Sequence, residues 1–252
     1  GIFFIPGVKA NAAEGGTVYA SVEKFTIGQG YLIKPTAVRF NSGDTYADII
    51  VRLLKANGYT YEATKSMGFY LAYINNADSG VVNVPKCIQN MPDDTLPKNK
   101  IEQGSLYEDT KGLGEHSYNR SSGWFYFVNN VAPDVGMSGI KAKDGDVVRY
   151  QFTLYGLGAD LGSTGKNEYG IKPLQLPNRD SITRKLAVMA QNPSYKQNPA
   201  WVAAYNQAIA AAANLDTTPA QLTAAENNLP TVAQINNWVA QQAQQALIKK
   251  NT

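Results

Sequence analysis

The sequence predicts an α+β protein in which a β-rich part with one main helix precedes a small all-α helical bundle. Two observations indicate the strands: residues 123–128 place aromatic side chains on both faces, and residues 147–154 alternate between apolar and polar side chains. A third observation indicates the helices, because the chain becomes rich in Ala, Gln and Asn from Asp180 onward. Alternation with period two is typical of strands, whereas Ala and Gln favour helices.

The first strands are predicted over Thr17–Phe25, 37–40 and Phe69–Ile74. Residues 76–122 are rich in Asn, Asp, Gly, Pro and Ser, with few apolar runs. A structureless loop of this length is uncommon in a compact domain. We therefore expect this segment to be a binding loop or to contain a short hairpin.

One helix is predicted between the second and third strands. Thr45 has the side chain of an N-cap, and Asp48 stands three residues later near the positive end of the helix. The apolar stripe of this helix comprises Ile49, Ile50, Leu53 and Leu54. Gly58 occupies the place where helices commonly end in a left-handed residue.

The last two strands of the β-rich part carry the clearest patterns. In the 123–128 strand, Phe125 and Phe127 lie on one face, and Trp124 and Tyr126 lie on the other. In the following strand the apolar face comprises Val148, Tyr150, Phe152 and Leu154. The polar face, which we expect at the surface, comprises Arg149, Gln151 and Thr153.

The C-terminal part is predicted to be an antiparallel bundle of four short helices. The first begins at Asp180 or Ser181, and the second at Asn198, before a proline that suits the first helical position. Thr218 and Thr231 each begin a capping-box pattern with Gln three residues later. The inward-facing residues expected on the last helix are Ile235, Trp238, Val239, Ala243, Ala246 and Leu247.

Composition excludes several classes of protein. The 252-residue chain has a formal net charge of +3 from scattered residues, which argues against nucleic acid as a partner. No run of 18 apolar residues exists, so no transmembrane segment is predicted in this chain. Cys87 is the single cysteine, which rules out an intrachain disulfide framework and a thiolate metal cluster.

The N-terminal residues 1–16 are predicted to be a signal-peptide remnant or an N-terminal extension. Residues 2–7 are largely apolar, and Ala10–Ala12 has the small-x-small form of a signal-peptidase site. The alternative is an ordinary first strand. The first interpretation predicts an exported protein.

Aromatic and sulfur side chains supply the candidate ligand-binding residues. Trp124, Tyr126 and Tyr155 either stack on a flat ligand or fill the space between sheet and helix. Tyr31 follows a Gly-Gln-Gly turn and is expected to be more exposed. Met137 lies on a loop, where its apolar side chain needs a ligand edge or a neighbouring loop as a partner.

No catalytic residue, metal site or cofactor is predicted. His116 is the single histidine, and no nucleophile is recognisable beside it or Glu115, so a hydrolase is the less favoured alternative. Lys143–Asp146 has two carboxylates beside a glycine but lacks the remaining oxygen ligands of a calcium loop.

Much of the β-rich part resembles the transcobalamin-like C-terminal domain family. The segments that carry the resemblance are Val22–Tyr31, Gly43–Thr45, Ser122–Asn129, Lys143–Arg149 and, for the bacterial members, Tyr155–Gly162. The resemblance implies a grasp-like sheet around one helix. In vertebrate vitamin B12 carriers such a domain covers one face of the cobalamin, which makes a corrinoid the alternative ligand. A large helical barrel holds the other face there, and this chain has no segment long enough to replace it.

The C-terminal part looks like the small helical modules repeated in Gram-positive surface proteins, through Trp201, Tyr205, an Ala run and the 218–222 helix start. The predicted units are residues 1–16, a transcobalamin-like domain over 17–162, a linker over 163–179 and a helical module over 180–252. The expected function is non-catalytic ligand binding or adhesion at the surface of a bacterium, with a small molecule, glycan or protein as partner.

Overall fold

The computed structural model describes residues 14–91, 106–163 and 171–252. Within these ranges the strands are β1 (Glu14–Glu23), β2 (Tyr31–Asn41), β3 (Tyr61–Thr64), β4 (Tyr70–Ile74), β5 (Leu113–Gly114), β6 (Gly123–Val128) and β7 (Val147–Thr153). The α-helices are α1 (Tyr46–Ala56), α2 (Lys86–Gln89), α3 (Asp180–Ala190), α4 (Pro199–Ala213), α5 (Pro219–Asn227) and α6 (Val232–Lys250). The predicted α+β class is confirmed.

The main sheet has the strand order β2-β1-β7-β6. Strands β1 and β7 run parallel at its centre, and each pairs on its outer side with an antiparallel neighbour. Two hairpins joined through parallel central strands, with α1 in the connection between them, form the grasp-like arrangement. The strand β1 begins at Glu14, three residues before the predicted start, and the predicted signal-peptide pattern at Ala10–Ala12 lies outside the described residues.

Helix α1 forms as its sequence predicts. The Thr45 hydroxyl accepts a hydrogen bond from the backbone N–H of Asp48, and the Asp48 carboxylate accepts one from the backbone of Thr45, which completes a capping box. Gly58, with φ of 79°, follows the C-cap. The apolar stripe of α1 is buried in the same hydrophobic cluster as Tyr150 and Phe152 of β7.

A second, smaller sheet has the order β3-β4-β5. Its last strand comes from the long 76–122 segment, where Tyr73 pairs with Gly114 and Ile74 with Leu113. The same segment also contains α2. Residues 92–105 of this segment lie outside the described residues. The 76–122 segment therefore contributes one strand to this sheet.

The four predicted C-terminal helices are present. The residues predicted to cap α4, α5 and α6 form the expected hydrogen bonds at the helix starts. Asn198 caps α4 by accepting from the backbone N–H of Ala200, while Thr218 and Thr231 form complete capping boxes with Gln221 and Gln234. The buried residues that share this second hydrophobic cluster include Ile182, Leu186, Met189, Tyr205, Ala208, Leu222 and Ile235.

The prediction for the last helix is wrong beyond its first turns. Ile235 is buried and Trp238 is half-buried. The other residues expected to face inward are exposed, namely Val239, Ala243, Ala246 and Leu247, the last to 60 %. In the described part of the chain no element lies opposite the second half of α6. Its sequence carries an apolar stripe, yet periodicity alone does not state whether a partner covers that stripe.

The polar face of β7 is buried, contrary to the prediction that it lies at the surface. Arg149 and Gln151 are 5 % and 3 % exposed, and Thr153 is fully buried. They face the segment 174–179, which crosses this side of the sheet, and the 3₁₀ turn Ala159–Leu161. The alternation therefore gave the correct side of each residue, whereas the expectation that the polar side faces water was wrong.

The C-terminal part packs on the sheet through α3. The Arg184 guanidinium lies 5.7 Å from the centre of the Tyr19 ring and donates a hydrogen bond to the carbonyl of Gly145 at 2.8 Å. Ile171, Leu174 and Leu176 of the predicted linker pack against the first core. The division into separable domains stays a prediction, and a fragment ending at residue 160 would leave the polar face of β7 uncovered.

Candidate functional site

An aromatic groove lies between strands β4 and β6 on one side and the 132–137 loop on the other. Its volume is about 470 Å³, and it is partly open to solvent. The side chains that line it include Met67, Phe69, Tyr70, Trp124, Tyr126, Val135, Met137 and Leu157. The volume lies within the range of roughly 300–1,000 Å³ that is typical of small-molecule sites.

Strand β6 places Trp124 and Tyr126 in the groove because residues two apart share one face of a strand. The Trp124 indole donates a hydrogen bond from Nε1 to the carbonyl of Leu113 at 2.9 Å. Its ring packs edge-on against Phe152, with 5.7 Å between the centroids. The indole is therefore fixed in place, and it is only 2 % exposed.

The hydroxyl of Tyr126 ties the 132–137 loop to the sheet. It lies 2.7 Å from the carbonyl of Val135 and 3.0 Å from that of Gly136, to which it can donate. Burial raises the pKa of Tyr126 to about 12, so the phenol keeps its proton at neutral pH. Tyr126 thus acts as a donor and a wall of the groove.

Two bulky residues in the groove have left-handed backbone conformations. Phe69 has φ of 62° and Leu157 has φ of 51°. Such conformations cost about 1–3 kcal/mol each and persist only where surrounding contacts enforce them. At Phe69 the enforcing contact is visible, because the carbonyl of the adjacent Gly68 accepts a hydrogen bond from the N–H of Ser138 at 3.1 Å. Strain of this kind is concentrated at functional sites.

The rim of the groove is apolar and exposed. Met67 is 71 % exposed and Val135 is 49 % exposed, and both contribute to the lining. The two rim loops approach closely: a side chain added at Gly136 would come within 2.2 Å of the carbonyl oxygen of Gly68. An exposed apolar rim around an aromatic floor is typical of a surface that binds a partner.

The chemistry available in the groove is that of apolar contact and stacking. Among the described residues that line it, Asp134 alone carries a charge, and Ser163 adds a hydroxyl. Aromatic rings favour offset or edge-on contact with another ring at centroid distances of about 4.5–7 Å. The lining therefore suits a ligand with an apolar or aromatic body.

Three of the five predicted ligand-binding residues meet in the groove, namely Trp124, Tyr126 and Met137. Tyr31 does not line it: its side chain is half-buried between the two hydrophobic clusters, with its ring edge-on to Phe25 at 4.8 Å. Tyr155 is buried in the first core and does not line the groove either. As ligand contacts, all five residues stay predictions.

Further groove residues were not predicted from the sequence, among them Met67, Phe69, Val135 and Leu157. Phe69 follows Gly68, and Leu157 lies between Gly156 and Gly158. Glycines beside an apolar residue signal a turn that can present that side chain. The sequence therefore indicates that each turn presents an apolar side chain, but it does not indicate that the turns at Phe69 and Leu157 lie on one surface.

The two residues with a recognised chemical reactivity lie outside the groove. The Nε2 atom of His116 is 3.7 Å from the Glu115 carboxylate. Burial and the neighbouring Asp216 raise the pKa of Cys87 to about 12, so this thiol is protonated at neutral pH. Within the described ranges, no group of three or more His, Cys, Asp and Glu side chains is arranged to hold a metal ion.

Comparison with known families finds a match in the β-rich part. Residues 93–153 match the model of a domain of unknown function, DUF4430, which is associated with transcobalamin-like proteins. The match includes β5, β6 and β7, and therefore Trp124, Tyr126 and Met137 of the groove. No curated protein matches the chain. None of the helices in the described residues combines the length and apolarity needed to cross a membrane.

Proposed function

We propose that this chain is a non-catalytic recognition module that binds a small molecule with an apolar or aromatic body in the aromatic groove. The observation that carries the proposal is the combination of a 470 Å³ groove with a fixed Trp124, an exposed apolar rim and two strained residues in its lining. A core that only fills space has no need of an exposed rim, and strain in the lining is typical of a pre-organised site.

Binding would proceed without covalent chemistry. A ligand body in the groove would cover Met67 and Val135 and approach the aromatic floor formed by Trp124 and Tyr126. Each Å² of apolar surface removed from water contributes roughly 25 cal/mol. Because hydrogen bonds and packing already hold these aromatic side chains, little side-chain entropy is lost on binding.

The proposed setting is the outer surface of a bacterium. Two features support it: the signal-peptidase pattern at Ala10–Ala12, and the likeness of residues 180–252 to helical modules of Gram-positive surface proteins. In this setting the helical module would serve as a spacer or a second interaction surface. Adhesion to a glycan or protein is then the outcome that remains if no small molecule binds.

A corrinoid is the first ligand to test, because the DUF4430 match is associated with transcobalamin-like proteins. The groove offers one lined face to such a ligand. We therefore expect any corrinoid to bind weakly, with a dissociation constant on the order of micromolar or higher, since the other face stays in water.

The test is calorimetric titration of the full chain with cobalamin and with a set of smaller aromatic compounds. Val135→Lys places a charge on the rim and should weaken binding at least about tenfold, which corresponds to about 1.4 kcal/mol. Val131→Lys is the matched control, because Val131 is 64 % exposed and does not line the groove. Equal affinities of the two variants would contradict binding in the groove, and absence of binding by every compound would contradict a small-molecule ligand.

A further inference from the structure

A second cavity lies on the other face of the main sheet, and we call it the arginine cavity. It has a volume of about 280 Å³ and lies between strand β7 and the segment 174–179. Its lining includes Arg149, Gln151, Asn130 and Arg179. Its polar character contrasts with the apolar lining of the aromatic groove.

Arg149 is held by one carboxylate but retains an unused donor. Its Nε and Nη2 atoms donate to the two carboxylate oxygens of Glu23 at 2.9 and 2.7 Å, in a bidentate ion pair. Gln151 Oε1 lies 3.5 Å from Nη2. The third nitrogen, Nη1, makes no hydrogen bond within the described residues. A buried guanidinium therefore presents a free N–H pair beside the cavity.

Arg179 is more unusual because it has no carboxylate partner in the described part of the chain. The side chain is 1 % exposed, and its three nitrogens donate to the carbonyls of Ala212, Pro177 and Asn214 at 2.8–3.2 Å. Neutral carbonyls offset the burial of a full positive charge less well than a carboxylate does. Burial and the nearby Arg149 lower the pKa of Arg179, and the Glu23 carboxylate opposes this shift.

No Asp or Glu side chain is among the described residues that line the cavity. Glu23 is engaged by Arg149, and Asp180, whose buried Oδ1 has no hydrogen-bond partner in the described residues, lies outside the lining and makes no ion pair with either arginine there. The side-chain amides of Gln151 and Asn130 also line the cavity, and Asn130 is exposed to solvent. The lining of the cavity therefore offers hydrogen-bond donors, the Nη1 group of Arg149 among them, and no acidic side chain.

We propose that the arginine cavity binds a small oxyanion, the carboxylate or phosphate group of a ligand. The guanidinium fork matches both groups in shape and charge, and amide N–H groups complete such sites. The volume lies just below the range typical of drug-sized ligands, so the cavity holds an anionic group or a very small anion. The occupant would accept hydrogen bonds from Nη1 of Arg149, which the Glu23 carboxylate leaves unused.

The test is NMR observation of the arginine Nε–H signals of the full chain during titration with sodium phosphate and, separately, sodium acetate at constant ionic strength. Saturable shifts are expected for Arg149 and Arg179, while Arg184 and Arg52, which lie outside the cavity, should not shift. The salt that saturates at the lower concentration identifies the preferred group. Absence of shifts, or equal and linear shifts of all four arginines, would overturn the proposal.

A variant that keeps both arginines separates binding from folding. Gln151→Leu removes an amide from the cavity and should weaken the anion at least threefold, with other chemical shifts preserved. Lys172→Gln removes an exposed positive charge from the neighbouring segment, outside the lining, and should leave the affinity unchanged. Equal losses in both variants would show general charge attraction, and no loss in Gln151→Leu would place the anion elsewhere; either result would overturn the assignment.

Discussion

The two faces of strand β7 are buried to the same degree but by different means. On one face, Tyr150 and Phe152 join a hydrophobic cluster with helix α1. On the other, Arg149 and Gln151 lie under a segment that follows them by more than 20 residues. The first face is stabilised by removal of apolar surface from water, the second by ion pairing and hydrogen bonds. The comparison shows that a polar face is a surface only when nothing later in the chain covers it.

The largest expected effect is on the apolar face. Phe152→Ala should lower the free energy of unfolding by about 3–5 kcal/mol, because the ring is fully buried and its loss leaves a cavity. Gln151→Ala on the opposite face should lower it by about 1 kcal/mol, which is more than a surface change but less than a core truncation. Urea denaturation of both variants measures the two losses in the free energy of unfolding. Equal effects would break the distinction between the two faces.

The next effect tests the ion pair of the polar face. Glu23→Gln should lower the free energy of unfolding by about 3 kcal/mol, since it leaves Arg149 as a buried charge with a weaker acceptor. Adding Arg149→Gln should recover part of this loss, because the uncompensated charge is removed. A double-mutant cycle from urea denaturation provides the measurement. Additive losses would mean that the two side chains do not interact as the structure has them.

The free energy of unfolding should depend on pH through Asp160, which lies in the loop that carries Leu157. Burial raises the pKa of Asp160 to about 7, although the Thr153 hydroxyl and two backbone N–H groups donate to its carboxylate. The folded protein therefore favours the protonated form more than the unfolded chain does, whose ordinary value is 3.8. The stability from this group is complete below about pH 4 and is lost as the pH rises through about 7.

Urea denaturation across this pH range should show the effect. The free energy of unfolding of the wild type, relative to that of Asp160→Asn, should decrease from about pH 4 to pH 8. Asp134→Asn, at an exposed carboxyl, is the control and should lack this trend. A difference that stays constant or rises with pH would contradict a protonated Asp160 in the fold.

The smallest effect is expected on α6. Leu247→Ala should change the free energy of unfolding by less than about 0.5 kcal/mol, because Leu247 is largely exposed. Ile235→Ala on the same helix should lower it by about 2–5 kcal/mol, because Ile235 is buried in the second cluster. A large loss in Leu247→Ala would show that the end of the helix is covered in solution.

Local signals in the sequence predicted most elements of the fold. The capping boxes at Thr45, Thr218 and Thr231 marked helix starts, because a cap is satisfied by residues three positions away. The burial of Arg149 was not predictable in this way, because its partner Glu23 lies 126 residues away in sequence. In the sequence, a charged residue on an alternating strand has the same pattern around it whether water or another part of the protein covers it.

The groove was predictable to a similar extent. Trp124 and Tyr126 came from the strand pattern, since excess aromatics on a strand need a second contact. Phe69 did not, because a contact with the distant loop at Ser138 holds the turn in which it lies. Leu157 did not either, because its left-handed conformation lies in a turn whose position beside the groove depends on the fold. Tyr31 was expected to be exposed because it follows a glycine turn, but it is half-buried, and packing between the two clusters covers it.

The most direct measurement uses Trp124 as a reporter of the groove. The chain has three tryptophans, so Trp201→Phe with Trp238→Phe leaves Trp124 as the sole one. Its fluorescence should change saturably on addition of a ligand found by calorimetry, with the same midpoint as the heat signal. Unchanged emission at ligand concentrations that saturate the calorimetric signal would place the ligand outside the aromatic groove and contradict the proposed function.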